Sequence, residues 1–224
     1  MGKTISFPRT NGGTAQGYLA EAKDAKAPGV VVIQEWWGLQ GQVKATCDRL
    51  AEAGFTALAP DLYDGKTIPY HDKPAASAAM GALDFKKATD EAVRGAAQFL
   101  KARGGKVGIT GFCMGGAVTV IAAAHVPELS AAVCFYGLPP ETVAAAKDVR
   151  VPIQCHFAAQ DDWVTPAAAD DFEKKLKAAG KTFEVHRYPG HHAFMNSDRK
   201  EVHDAGAART AWDRALAWLR KYLA

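Results

Sequence analysis

The sequence predicts an α/β fold built on a mostly parallel sheet with helices on both faces. Three observations predict it. Strand-like and helix-like segments alternate through most of the chain. The run Val30-Val31-Val32-Ile33 is continuously β-branched, as a strand buried on both sides requires. Helical stripes close on glycines, as at Gly54 and Gly180, where the chain needs a left-handed residue.

The elements follow in order. Residues 5–7 and 17–21 read as short opening strands around the turn Asn11-Gly12-Gly13. After the strand at 30–33, Val43, Cys47, Leu50 and Ala51 form one helical stripe, and 55–59 is the next strand, closed by Pro60-Asp61. Residues 62–83 contain Gly65, Pro69 and Pro74 and read as a long irregular connection, a feature that is usually functional. A helix is expected over 84–103, with Phe85, Ala88, Ala92, Ala96 and Phe99 on one side. Strands are expected at 107–110, 131–136, 151–157 and 183–188, and helices from about Gly115, over 167–179, and at the C-terminus, where Trp212, Ala215, Leu216, Leu219 and Tyr222 share a face. No linker or repeat divides the chain, so residues 1–224 read as one domain.

Composition narrows the function. Of 224 residues, 48% are hydrophobic and 23% charged, and the net charge is only +3, with no dense basic stripe. That argues against a nucleic-acid partner. No apolar run is long enough to span a membrane, and the first residues lack the apolar core of a signal peptide, so a cytoplasmic protein is expected. The four cysteines form no C-x-x-C pair, which removes sequence support for zinc or a thioredoxin-like site; free thiols are expected.

The sharpest signal is Gly111-Phe112-Cys113-Met114-Gly115-Gly116, between a strand and a helix. It is G-x-C-x-G in the setting of the G-x-S-x-G nucleophile elbow. A tight strand-to-helix turn needs glycine where a side chain would strike the neighbouring backbone. The positive end of the helix dipole favours a thiolate, and the backbone N–H of Met114 faces a developing oxyanion. The bland alternative is a buried cysteine or a phosphate loop. Cys47, on a helix stripe, and Cys134 and Cys155, inside strands, read as core residues.

In α/β-hydrolases a nucleophile of this kind is followed by an acid and then a base along the chain. Asp161 lies at the carboxyl end of the strand at 151–157, with Asp162 beside it; either is also a plausible turn or cap acid. His192 lies past the strand at 183–188, with His191 beside it, and is preferred as the base. Adjacent histidines on an extended chain point apart, and no metal-ligand spacing accompanies them, so no metal is expected.

Taken together these segments resemble the dienelactone hydrolase (carboxymethylenebutenolidase) family, with an α/β-hydrolase fold. The resemblance runs through nearly the whole chain. It is carried by Gln34-Glu35-Trp36-Trp37-Gly38, Ala59-Pro60-Asp61-Leu62-Tyr63, the Cys113 turn, Phe135-Tyr136-Gly137, the stretch from Gln160 to Pro166, and Gly190-His191-His192-Ala193-Phe194. It implies Cys113, Asp161 and His192 as the catalytic triad, favouring Asp161 over Asp162. It also implies that Glu35 contacts the resting thiol until substrate shifts it, and that the backbone N–H of Trp36 is the second oxyanion donor beside Met114. The bland readings are a capping Glu35 and packing by Trp36 and Trp37.

One departure concerns substrate. Family members that act on dienelactones hold the substrate carboxylate with two arginines. Here the matching places fall at Asp64-Gly65-Lys66 and at Asn196. Lys66 or Arg199 is a candidate replacement, although a lysine lacks the bidentate fork of arginine. Trp37, Tyr63, Tyr136, Trp163 and Phe194 are further candidates for lining a more apolar pocket.

The expectation is therefore a cofactor-free, cysteine-dependent hydrolase of lactones or esters, acting through an acyl-enzyme on a small-molecule substrate. The resemblance implies a monomer. The alternatives are a general carboxylesterase or thioesterase and, from another class, a redox-active or electrophile-scavenging thiol protein, against which the lack of a nearby resolving cysteine counts.

Overall fold

The computed structural model describes residues 1–224 and contains one eight-stranded sheet. The strands are β1 (Lys3–Pro8), β2 (Thr14–Ala20), β3 (Gly29–Ile33), β4 (Thr56–Pro60), β5 (Val107–Phe112), β6 (Leu129–Phe135), β7 (Ile153–Gln160) and β8 (Phe183–His191). They lie in the order β1-β2-β4-β3-β5-β6-β7-β8. The pairs β1–β2 and β2–β4 are antiparallel and the remaining pairs are parallel. The fold is that of an α/β-hydrolase, as the sequence predicts.

Side-chain alternation explains why the sheet is covered twice. Successive strand residues face opposite sides. Val31 and Ile33 of β3 join the core formed with α4 (Arg94–Lys101), α5 (Met114–His125) and α6 (Pro166–Ala178). Val30 and Val32 join the other core, formed with α1 (Gly41–Glu52) and α7 (Ala205–Leu223). Every residue of β3 is buried, the burial that its unbroken β-branched run predicts.

The structure differs from the sequence reading in two places. The connection 62–83 is not wholly irregular: it contains α2 (Lys73–Ala82). Pro74 reads as a loop marker, but here it occupies the first turn of a helix, where its missing N–H costs nothing, and the Asp72 carboxylate caps that turn by accepting from Ala75 N. The helix expected over 84–103 is broken into α3 (Phe85–Ala88), a π-helical turn (Thr89–Val93) and α4. Thr89 contributes to the irregularity by donating its hydroxyl to Phe85 O, one turn back.

The sheet order places the site. From β3 the chain steps one way to β4, and β5 lies on the other side of β3. A crevice opens at the carboxyl ends of strands at such a switch point. Glu35 and Trp36 lie just past β3, Cys113 just past β5, Tyr136 past β6, Asp161 past β7 and His192 past β8.

Candidate active site

Cys113 sits at the N-cap of α5 with φ 56° and ψ −117°, a strained conformation for a residue with a side chain. Its N–H donates to Phe135 O at 3.1 Å, and its carbonyl accepts from Gly116 N and Ala117 N. The turn depends on its glycines. A Cβ on Gly115 would lie 2.5 Å from the carbonyl oxygens of Ile33 and Gln34, and one on Gly111 would strike the Gly115 backbone. Two other non-glycine residues with positive φ, Tyr136 (39°) and Ala193 (68°), flank the same crevice.

The structure joins Asp161 and His192. The Nδ1–H of His192 donates to Asp161 Oδ2 at 2.8 Å. The other carboxylate oxygen accepts from the backbone N–H groups of Trp163 (2.7 Å) and Val164 (3.0 Å), which fixes the carboxylate in a buried position. His192 Nε2 is buried and has no hydrogen-bond partner of regular geometry. Burial alone would lower the imidazole pKa. Hydrogen bonding and charge from Asp161 and from the neighbouring Cys113 sulfur outweigh burial and hold it at about 10. The neighbouring alternatives separate cleanly: Asp162 is exposed, and exposed His191 has its Nδ1 3.2 Å from Gln160 O.

Glu35 is buried, and its carboxylate is already engaged. Asn196 Nδ2 donates to Oε2 at 2.7 Å and the Tyr136 hydroxyl lies 3.3 Å from Oε1. Both carboxylate oxygens are engaged by these partners, and neither hydrogen-bonds the Cys113 thiol. Burial pushes the Glu35 pKa up, and the hydrogen bond from Asn196 and the charges of His192 and Arg199 only partly offset this. The N–H of Trp36 has no protein acceptor, and that of Met114 is at the first residue of α5, among the donors that a helix leaves unpaired.

Glu35, Trp36, Cys113, Met114 and His192 line one cavity of about 530 Å³. Of the pocket candidates, Trp37, Tyr136, Trp163 and Arg199 reach its wall. Trp163 is 60% exposed and packs edge-on against Trp36 at the rim. Arg199 pairs with Glu201 at 2.8 Å and stands 5.6 Å from the Trp37 ring. Three candidates do not reach the wall. Lys66 is exposed in the turn that follows the left-handed Asp64 and Gly65. Tyr63 is buried behind the wall, its hydroxyl 3.2 Å from Met114 Sδ. The left-handed turn at Ala193 sends Phe194 into the core against Tyr136 and Tyr188. Sequence reasoning missed Lys73, Met80 and Phe85, supplied by α2 and α3, and Ile121 and Val143. The signal for the first two was Asp72 followed by Pro74, a capped helix start.

The chain matches known proteins throughout this arrangement. The sequence model of the dienelactone hydrolase family matches residues 15–223. "Protein usf" of Aquifex pyrophilus and a "Putative carboxymethylenebutenolidase" of Aquifex aeolicus are each 37% identical over 235 residues, covering 100% of both chains. A crystal structure described as a putative dienelactone hydrolase from Klebsiella pneumoniae superposes with a TM-score of 0.88 at 29% identity, covering 99% of this chain and 100% of that one. The chain belongs to the dienelactone hydrolase family of α/β-fold hydrolases, enzymes of carboxylic ester bonds.

Proposed function

We propose that the chain hydrolyses small lactones and esters by nucleophilic catalysis, with Cys113 as nucleophile, His192 as proton shuttle and Asp161 as its orienting acid. The observation that carries this reading is the 2.8 Å Asp161–His192 bond, beside a strained cysteine at a helix N-terminus in one cavity.

The chemistry follows from the roles. The Cys113 sulfur, its proton passed to His192, attacks the substrate carbonyl carbon. The carbonyl oxygen becomes an oxyanion facing the N–H groups of Trp36 and Met114. The carbon–oxygen bond to the alcohol breaks as the tetrahedral intermediate collapses, and the imidazolium returns its proton to the leaving oxygen. A thioester on Cys113 remains. Water then gives a proton to His192 and attacks that thioester, and the thiolate departs with the acid released. Asp161 keeps the imidazole oriented and stabilises its charged form. Glu35 stands beside this path as a buried carboxyl whose raised pKa suits it to hold or release a proton as the thiol ionises.

The test is turnover of p-nitrophenyl acetate and of a dienelactone by wild type, Cys113→Ser and Cys113→Ala. The expected result is ester hydrolysis lowered about 10³-fold or more in Cys113→Ala. Undiminished hydrolysis in Cys113→Ala sinks the nucleophile assignment. Rapid Cys113 alkylation without turnover of either substrate moves the thiol to the redox or scavenging reading.

A further inference from the structure

Two kinds of wall line the cavity. Its lysine and arginine are Arg199, which lies beside Glu201, and Lys73, which is near enough to Glu201 to help lower the pKa of its carboxyl. A second stretch of wall is built from uncharged side chains. Cys113, Ala117 and Ile121 are spaced four residues apart, so they share one face of α5. Eight residues of helix rise about 12 Å, so this face extends about two turns from the nucleophile. Met80, Phe85 and Val143 also line the cavity, and Phe85 and Val143 pack around buried Ile121.

From this geometry we infer that the Ala117–Ile121 face of α5 floors an acyl-chain arm, and that the substrate is an ester or lactone with an uncharged, unbranched aliphatic acyl group. The inference rests on the proposed hydrolase chemistry and names its substrate class. An acyl group bound to the Cys113 sulfur must start at that sulfur, and the face that leads away from it is lined by Ala117 and then Ile121. The leaving alcohol must take its proton from His192, so it belongs on the His192 side, where Trp163 forms an exposed rim. The two halves of the substrate are thereby sorted. The side chains named in the arm are all uncharged, and the cavity's Lys73 and Arg199 both lie near Glu201, so a carboxylate-bearing acyl group finds no cation among the arm's residues.

The experiment is a series of p-nitrophenyl esters (acetyl, butyryl, hexanoyl, octanoyl) below micelle-forming concentrations, with wild type, Ile121→Trp and Val143→Trp. Each methylene buried in the arm is worth up to about fourfold in kcat/KM. The expected result is a rise of at least about tenfold from acetyl to octanoyl in wild type. In Ile121→Trp the octanoyl-to-acetyl ratio should fall at least about tenfold, because the indole fills the arm. Ile121 is buried, so Val143→Trp, at a half-buried wall position, makes the same test if the first variant does not fold. A flat or falling series, with acetate turnover still dependent on Cys113, overturns the arm and leaves the hydrolase reading intact. A ratio unchanged in a folded variant also overturns it. Failure of every ester overturns both readings together.

Discussion

Two largely buried histidines, one within β7 and one just past the neighbouring β8, are driven toward different charge states, and their partners decide which. His192 follows β8 and His156 lies within β7; both imidazoles are largely removed from solvent. His192 Nδ1 faces a carboxylate, and its pKa is held at about 10. His156 has only neutral direct partners. Gln154 donates its amide N–H to Glu184, so its oxygen is left to accept from His156 Nε2–H at 2.9 Å. Arg214 donates to the Tyr188 oxygen, so the Tyr188 hydroxyl proton points at His156 Nδ1, 2.9 Å away. This network accommodates only the neutral ring. Burial first, then the charges of His186 and Arg214, push the His156 pKa well below its ordinary value. Burial disfavours charge in both rings; a facing carboxylate reverses the outcome in one. One ring is therefore equipped to move a proton, and the other is locked as packing, stacked on Phe135.

The largest effect that would break this comparison comes from removing the partner of one ring and the whole of the other. Asp161→Asn should lower kcat/KM for p-nitrophenyl acetate by about 10²–10⁴-fold with the fold retained, because an amide neither stabilises the imidazolium nor enforces its tautomer. His156→Ala should lower turnover by no more than a few fold but cost roughly 3–5 kcal/mol in urea denaturation, since it leaves a cavity and strands the Gln154 oxygen and Tyr188 hydroxyl. A rate collapse in His156→Ala, or an undiminished rate in Asp161→Asn, would erase the distinction.

The next effect is on pH dependence, with opposite signs. The folded pKa of His192 is raised above its unfolded value near 6.5, so its stabilising contribution is fully present below that value and is lost as pH rises through about 10. The folded pKa of His156 is depressed. The unfolded chain binds the proton more readily, so its contribution is lost as pH falls below about 6.5. Melting temperatures across pH should therefore show an alkaline loss that His192→Gln flattens and an acid loss that His156→Gln flattens. The same arm flattened by both variants would refute the assignment.

The smallest effect sharpens the cost of the site. Glu35 is an acid with a raised folded pKa, so folding is progressively penalised as pH rises from its ordinary range through that raised value. Glu35→Gln removes the ionisation and retains an oxygen for the Asn196 N–H to meet. It should raise Tm at neutral pH by about 2–4 °C while lowering turnover. A lowered Tm would show that the carboxylate is stabilising as an anion.

Much of this was legible before any contact was known. The β3 run, the glycines around Cys113 and the chain order of nucleophile, acid and base are local or one-dimensional features. They place the strands and bring the candidate residues to strand ends. The segment 62–83 misled because a proline and small residues look the same in a loop and in the first turn of a helix; only the cap at Asp72 distinguishes them. Lys66, Tyr63 and Phe194 lay near the motif in sequence, yet left-handed turns and core packing took each away from the cavity.

The sequence by itself determined the fold class, the sharp turn at Cys113 and the identity of the residues able to do acid–base chemistry, because residue type, periodicity and glycine placement act locally. The tertiary structure joined Asp161 to His192, a pairing the sequence had only favoured, and it alone decided which buried ring keeps its proton and which helices wall the cavity. Those outcomes depend on strand register, burial and partners as many as 161 residues apart, as in the bond from Asn196 to Glu35, and no local pattern encodes them.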